Sequence, residues 1–130
     1  MFKRWVLALL LAVLSVGALA APHKATPPTI IATQNFLNVT APLATTVLTP
    51  TVTGMYRISV YVECANIDCA VSANLAYTDV GGFQNPGLTG PRSGDFVLRL
   101  LAGTPVQLLA NSFPTEGVAY NVFIVVEQLF

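Results

Sequence analysis

Three observations predict an all-β fold, an antiparallel β-sandwich of jelly-roll type with seven or eight strands. Short runs rich in Val, Ile, Thr, Tyr and Phe recur from Thr29 onward. Clusters of Pro, Gly and Asn separate them, and no window sustains a 3.6-residue apolar period. Short strands punctuated by turn chemistry are the pattern of sandwiches and jelly rolls.

A leader precedes the predicted sandwich. Lys3 and Arg4 form a basic start, residues 5–16 an apolar stretch, and Ala18-Leu19-Ala20 the small residues of a cleavage site. Residues 1–20 therefore read as a secretory signal peptide, cut between Ala20 and Ala21, with a secreted product, extracellular or periplasmic. The rival reading is an uncleaved anchor helix, whose apolar run falls short of the ~20 residues a bilayer span needs. No cysteine lies near the cut, so no lipoprotein-type attachment is expected. Residues 21–28 hold three prolines and form an extended lead-in. Residues 29–130 make one sandwich domain, since the mature length suits one domain and not two.

Strands are expected at 29–36, 44–49, 55–64, 69–78, 95–102, 104–111 and 118–129, with a weaker one at 37–40. Ala41-Pro42, Pro50 with Thr53-Gly54, Gly81-Gly82, Asn85-Pro86-Gly87, Gly90-Pro91, Gly103 and the 114–117 turn divide them. In the third strand Tyr56, Ile58, Val60, Val62 and Cys64 share one face, with Arg57, Ser59, Tyr61 and Glu63 on the other. In the fourth, Cys69, Val71, Ala73, Leu75 and Tyr77 share the apolar face. With Ala65-Asn66-Ile67-Asp68 between them, the two arms read as a hairpin that sets Cys64 opposite Cys69 at disulfide distance. Export makes that bond expected, and its short loop limits the chain-entropy gain to about 2 kcal/mol.

The last strand is apolar on both faces. Tyr120, Val122, Ile124 and Val126 alternate with Phe123 and Val125, which lie between Asn121 and Glu127. A strand of this kind needs cover on both sides. A neighbouring subunit meeting Phe123 and Val125 is the expected cover, and a loop folding over them, above all 78–94, the alternative.

Charge limits the partners. Beyond Ala20, four basic side chains stand against six acidic ones, a balance of −2. No basic patch exists for nucleic acid or for anionic membrane. Ten charges in 110 residues is far below the usual share of about 25%, and a surface so poor in charge invites association. Catalytic chemistry is sparse too. The one histidine, His23, lies in the lead-in, away from packed neighbours that could hold an imidazole for nucleophilic catalysis. As the third residue of the cleaved chain it suggests amino-terminal copper, but the Pro22 nitrogen carries no amide proton for such a site to remove. Two cysteines and a remote histidine make no zinc set, and Cys64-x4-Cys69 is not the redox spacing. Asp79 beside Gly81-Gly82 could ligate calcium, but turn capping is the better reading. Scattered carboxylates leave a glycosidase pair formally open, without the aromatic cleft it needs. Asn38-Val39-Thr40 fits the glycosylation sequon, which matters in a eukaryotic secretory pathway. No catalytic residue, cofactor or metal is assigned.

Three segments carry a resemblance: Thr53-Gly-Met-Tyr-Arg-Ile-Ser-Val-Tyr-Val-Glu63, Leu101-Ala-Gly-Thr-Pro-Val-Gln-Leu-Leu-Ala110 and Gly117-Val-Ala-Tyr-Asn-Val-Phe-Ile-Val-Val-Glu127. In order and pattern they resemble the C1q/TNF-like jelly roll and the small β-sandwiches of bacterial and phage surface and tail proteins. Gly103-Thr104 departs from the Gly-Asp common in C1q domains, and no collagen-like repeat precedes the domain. The resemblance implies a trimer-forming recognition or structural module without catalysis, and transfers no ligand-binding residues. The competing class is a secreted carbohydrate-binding module or hydrolase built on the 78–94 loop, with Tyr77, Phe83 and Phe113 converging on a concave site.

Overall fold

The computed structural model describes residues 27–65, 70–89, 92–113 and 117–130, Arg92 by its backbone only. The expected signal peptide and its expected cut between Ala20 and Ala21, His23 and most of the expected lead-in lie outside the described residues, as does Cys69. Among the described residues nine strands run in order: β1 (Thr29–Val39), β2 (Leu43–Leu48), β3 (Gly54–Cys64), β4 (Ala70–Asp79), β5 (Gly82–Gln84), β6 (Gly87–Thr89), β7 (Arg92–Leu100), β8 (Val106–Phe113) and β9 (Tyr120–Gln128).

Two antiparallel sheets share them. Sheet A has the order β1-β9-β3-β7, and sheet B the order β2-β8-β4-β5 with β6 also on β4. Each long strand passes to the opposite sheet from the one before it. The pairings nest: β1 with β9, β2 with β8, β3 with β7, and β4 with β5 and β6. A long antiparallel hairpin rolled around a core produces this order, and it defines the jelly roll.

Alternation places the core. Ile58, Val60, Val62, Val122, Ile124 and Val126 of sheet A meet Val71, Ala73, Leu75, Leu108 and Ala110 of sheet B, all buried. Tyr120 is wholly buried at one end of β9. Its hydroxyl lies 2.7 Å from the Ala41 carbonyl oxygen and 3.1 Å from that of Ala110, and donates its proton to this pair. Burial pushes the Tyr120 phenol above its ordinary pKa, an opposing backbone contact at Leu43 being the smaller effect. The resemblance segment Leu101 to Pro105 forms the turn between β7 and β8. Gly103 takes a left-handed φ of 77° there and donates to the Pro50 carbonyl at 2.8 Å.

The structure corrects three expectations. β3 and β4 do not form a hairpin: β3 is paired on both sides by β7 and β9, and β4 belongs to the other sheet. Their facing rows were legible, but alternation gives a residue's face and not its neighbouring strand. A four-residue link can serve a hairpin or a corner between sheets equally well. Here Ala65 donates to the Ala119 carbonyl at 2.9 Å, which ties the corner to the chain entering β9. Cys64 thus ends β3 at a corner, and among the described residues no cysteine is a free thiol.

Second, 78–94 is not one long loop. It contributes β5, β6 and the start of β7, and β5 and β6 both lie on β4. Gly94, expected to end the 78–94 loop, sits inside β7, where the Leu88 side chain of β6 occupies the space a side chain there would need. Third, the weak strand at 37–40 is the end of β1, offset by an irregularity at which Asn38 adopts a positive φ of 53°.

Candidate assembly surface

Position within sheet A gives Phe123 and Val125 their surroundings. β9 lies between β1 and β3, so its outward row is flanked on both sides. Phe123 is opposite Tyr61 on β3 and Asn35 on β1, and Val125 is opposite Ser59 and Thr33. The Tyr61 and Phe123 rings lie 5.8 Å apart between centroids, tilted by 33°, within the range of favourable aromatic pairs. Phe123 and Val125 are half-buried and Tyr61 is 44% exposed.

Polar clips frame this apolar strip at both ends. Toward the start of β9, the Asn121 amide donates to Glu63 Oε1 at 2.8 Å, and the Tyr61 hydroxyl donates to Glu63 Oε2 at 3.3 Å. Asn121 Oδ1 also accepts the Asn38 N–H at 2.8 Å, which holds the irregular end of β1. Toward the end of β9, Arg57 donates to Glu127 at 3.1 Å. Beyond β3, β7 adds Val97, 54% exposed, next to Arg57. An apolar centre with a hydrogen-bonded polar rim is the layout of a protein–protein contact surface.

Among the described residues, 78–89 do not cover Phe123, because they complete β4 and build β5 and β6 on the opposite sheet. The aromatic cleft is not formed either. Phe83 lies across from Thr78 at one end of β4, 68% exposed, while Phe113 lies across from Ala70 at the other end. Eight residues of extended chain separate them by about 26 Å. Tyr77 belongs to the opposite row of β4, and burial, with Asp79 beside it, raises its phenol pKa. Asp79 caps its turn: Oδ1 accepts the Gly81 N–H at 2.6 Å. Among the described residues no three His, Cys, Asp or Glu side chains gather as metal ligands.

Sequence reasoning picked out Phe123 and Val125 but missed Tyr61 as their neighbour. Its outward position on the third strand was legible, but its pairing with Phe123 depends on which distant strand lies beside it.

No family model matches the chain, and no curated protein does. Among solved structures, two crystal structures of a pentameric capsid protein isolated from metagenomic phage sequences are similar to it. Their identities are 17% and 18%, over 91% of this chain and 74% and 73% of theirs, with TM-scores of 0.44 and 0.45. A structure of desmodium yellow mottle tymovirus is similar at 10% identity, over 86% of this chain and 93% of that one, with a TM-score of 0.36. Likenesses this slight assign no role to the present chain.

Proposed function

We propose that this chain is an exported, non-enzymatic structural module that assembles with copies of itself through the outer face of sheet A. The observation that carries this reading is the Tyr61–Phe123–Val125 strip, apolar at its centre and framed by the Glu63–Asn121 and Arg57–Glu127 clips. Burying a large side chain of this kind contributes roughly 1.5–3 kcal/mol, and repetition around a closed ring multiplies it without any interfacial ion pair. The C1q-like order of motifs favours three copies in that ring. The mature protein begins at Ala21 in this reading, and Cys64 pairs with Cys69 as a staple across the corner between the sheets.

The test is the mass of the secreted protein. Light scattering should show a closed oligomer, trimeric for a C1q-like ring, and Phe123→Asp should prevent the ring from forming. A monomeric unmodified protein at micromolar concentrations would sink the assembly reading. Intact-mass analysis should find residues 1–20 removed, and thiol labelling without reductant should modify neither cysteine.

A further inference from the structure

We propose that the outer edge of β1 is a second contact surface, which takes the β1 edge of another copy of this chain in antiparallel, two-fold pairing. Among the described residues β1 is bonded on one side only, to β9. A terminal strand presents a row of N–H and C=O groups that a further strand can bond, and soluble β-proteins blunt such edges with charge, proline or bulges.

The two edges of sheet A differ in this respect. β7 carries Arg92, Asp95 and Arg99 within its nine residues. β1 has neither a charged residue nor a proline in eleven, and it exposes Ile30, Ile31 and Leu37 at 62%, 41% and 61%. Irregularities interrupt β1 near its two ends, but residues 32–36 between them keep an unbroken register with β9. That stretch is the part able to accept a strand.

Charge selects the occupant. A charged strand would bury its charges against a neutral edge with nothing to pair them, whereas an uncharged one avoids that penalty. The β1 of a second copy meets the condition, and two-fold symmetry sets every residue against a partner from the same neutral set. A register centred on Gln34 places Thr33 of each copy opposite Asn35 of the other, a hydroxyl facing an amide. Thr33 and Asn35 also flank Val125 and Phe123, so the pairing extends the apolar strip's own face from one copy to the next. A cyclic contact closes on itself, and a two-fold contact elsewhere on the molecule joins one ring to another. Only this joining of rings rests on the proposed function; the β1 pairing stands on the edge itself.

The experiment is sedimentation velocity on the mature protein, with Ile31→Lys/Leu37→Lys as the edge variant and Phe123→Asp as the face variant. Both lysines replace exposed side chains, and a thermal melt checks that the fold survives. The unmodified protein should form species larger than one ring. The edge variant should stop at the ring, its ring-to-ring affinity lowered about tenfold or more, and the face variant should stop at a dimer. An edge variant with the unmodified mass distribution overturns the inference, while the face variant judges the ring separately. If the edge variant does not fold, nitroxide labels on Leu37→Cys give a second reading. The proposed register separates the two labels by about 20 Å, six residues of extended chain, and absence of that distance overturns it.

Discussion

Both rows of β9 carry large apolar side chains, and the two rows have different fates. Tyr120, Val122, Ile124 and Val126 point inward and are at most 1% exposed. Asn121, Phe123, Val125 and Glu127 point outward, flanked by β1 and β3 of the same sheet. Folding alone buries the first row. The second holds two apolar side chains between hydrogen-bonded polar ones, an arrangement that contributes little to the lone domain and becomes useful when another surface arrives. Hydrophobicity therefore marks which side chains need cover, and topology decides whether the chain itself supplies it.

Substitutions along β9 should separate the rows. The largest effect is expected from Ile124→Ala, which empties part of the core and should lower unfolding free energy by about 2–5 kcal/mol in a denaturant titration. A loss under about 1 kcal/mol would place Ile124 outside a tightly packed core. Tyr120→Phe should cost about 1 kcal/mol, because two carbonyls lose a buried donor; no loss would show those carbonyls satisfied elsewhere.

Tyr120 also predicts a dependence on pH. Its phenol is held above the ordinary value of 10.0, chiefly by burial, so the unfolded chain releases this proton at lower pH than the folded one. The stabilisation is complete below pH 10 and lost as pH rises through the folded-state pKa. Melting temperatures should fall more steeply above pH 10 in the parent than in Tyr120→Phe, and parallel curves would contradict the assignment.

The outer row should respond least. Phe123→Ala should shift the monomer's unfolding by well under the loss at Ile124, while weakening assembly. Comparable losses at both positions would erase the distinction between the rows. Glu127→Gln breaks an ion pair whose members are 43% and 23% exposed, so solvent screening limits its effect to about 0–1 kcal/mol.

Apolar runs between turn signals made the seven long strands legible, and alternation the buried faces of β3, β4 and β9, because side-chain period is a local property. Three-residue strands are too short to alternate, so β5 and β6 were hidden among the turn signals Gly81-Gly82, Asn85-Pro86-Gly87 and Gly90-Pro91. Gly94 reads as the end of a loop because the Leu88 side chain that fills its place arrives from another strand. Neighbour relations were not legible for the same reason. The hairpin expected of β3 and β4, the Tyr61–Phe123 pair and the edge position of β1 all depend on which distant segments lie side by side. Of the candidate surface, Phe123 and Val125 could be found from sequence, and the strip they belong to could not.

The nested pairing has a consequence for the order in which the molecule folds. Thr29 pairs with Gln128, and β9 stands between β1 and β3, so sheet A cannot close until the final strand is present. Contacts between segments so far apart require closure of almost the whole chain, which slows folding relative to proteins built from local contacts. A chain crossing a membrane amino terminus first would deliver β1 and β3 early and leave them waiting for β9. Sheet A would stay open, and that part of the chain able to thread a translocation channel, until β9 had passed. Pulsed hydrogen exchange during refolding should find the amides of β1 protected together with those of β9. Earlier protection of β1 alone would show that sheet A begins to form without its central strand.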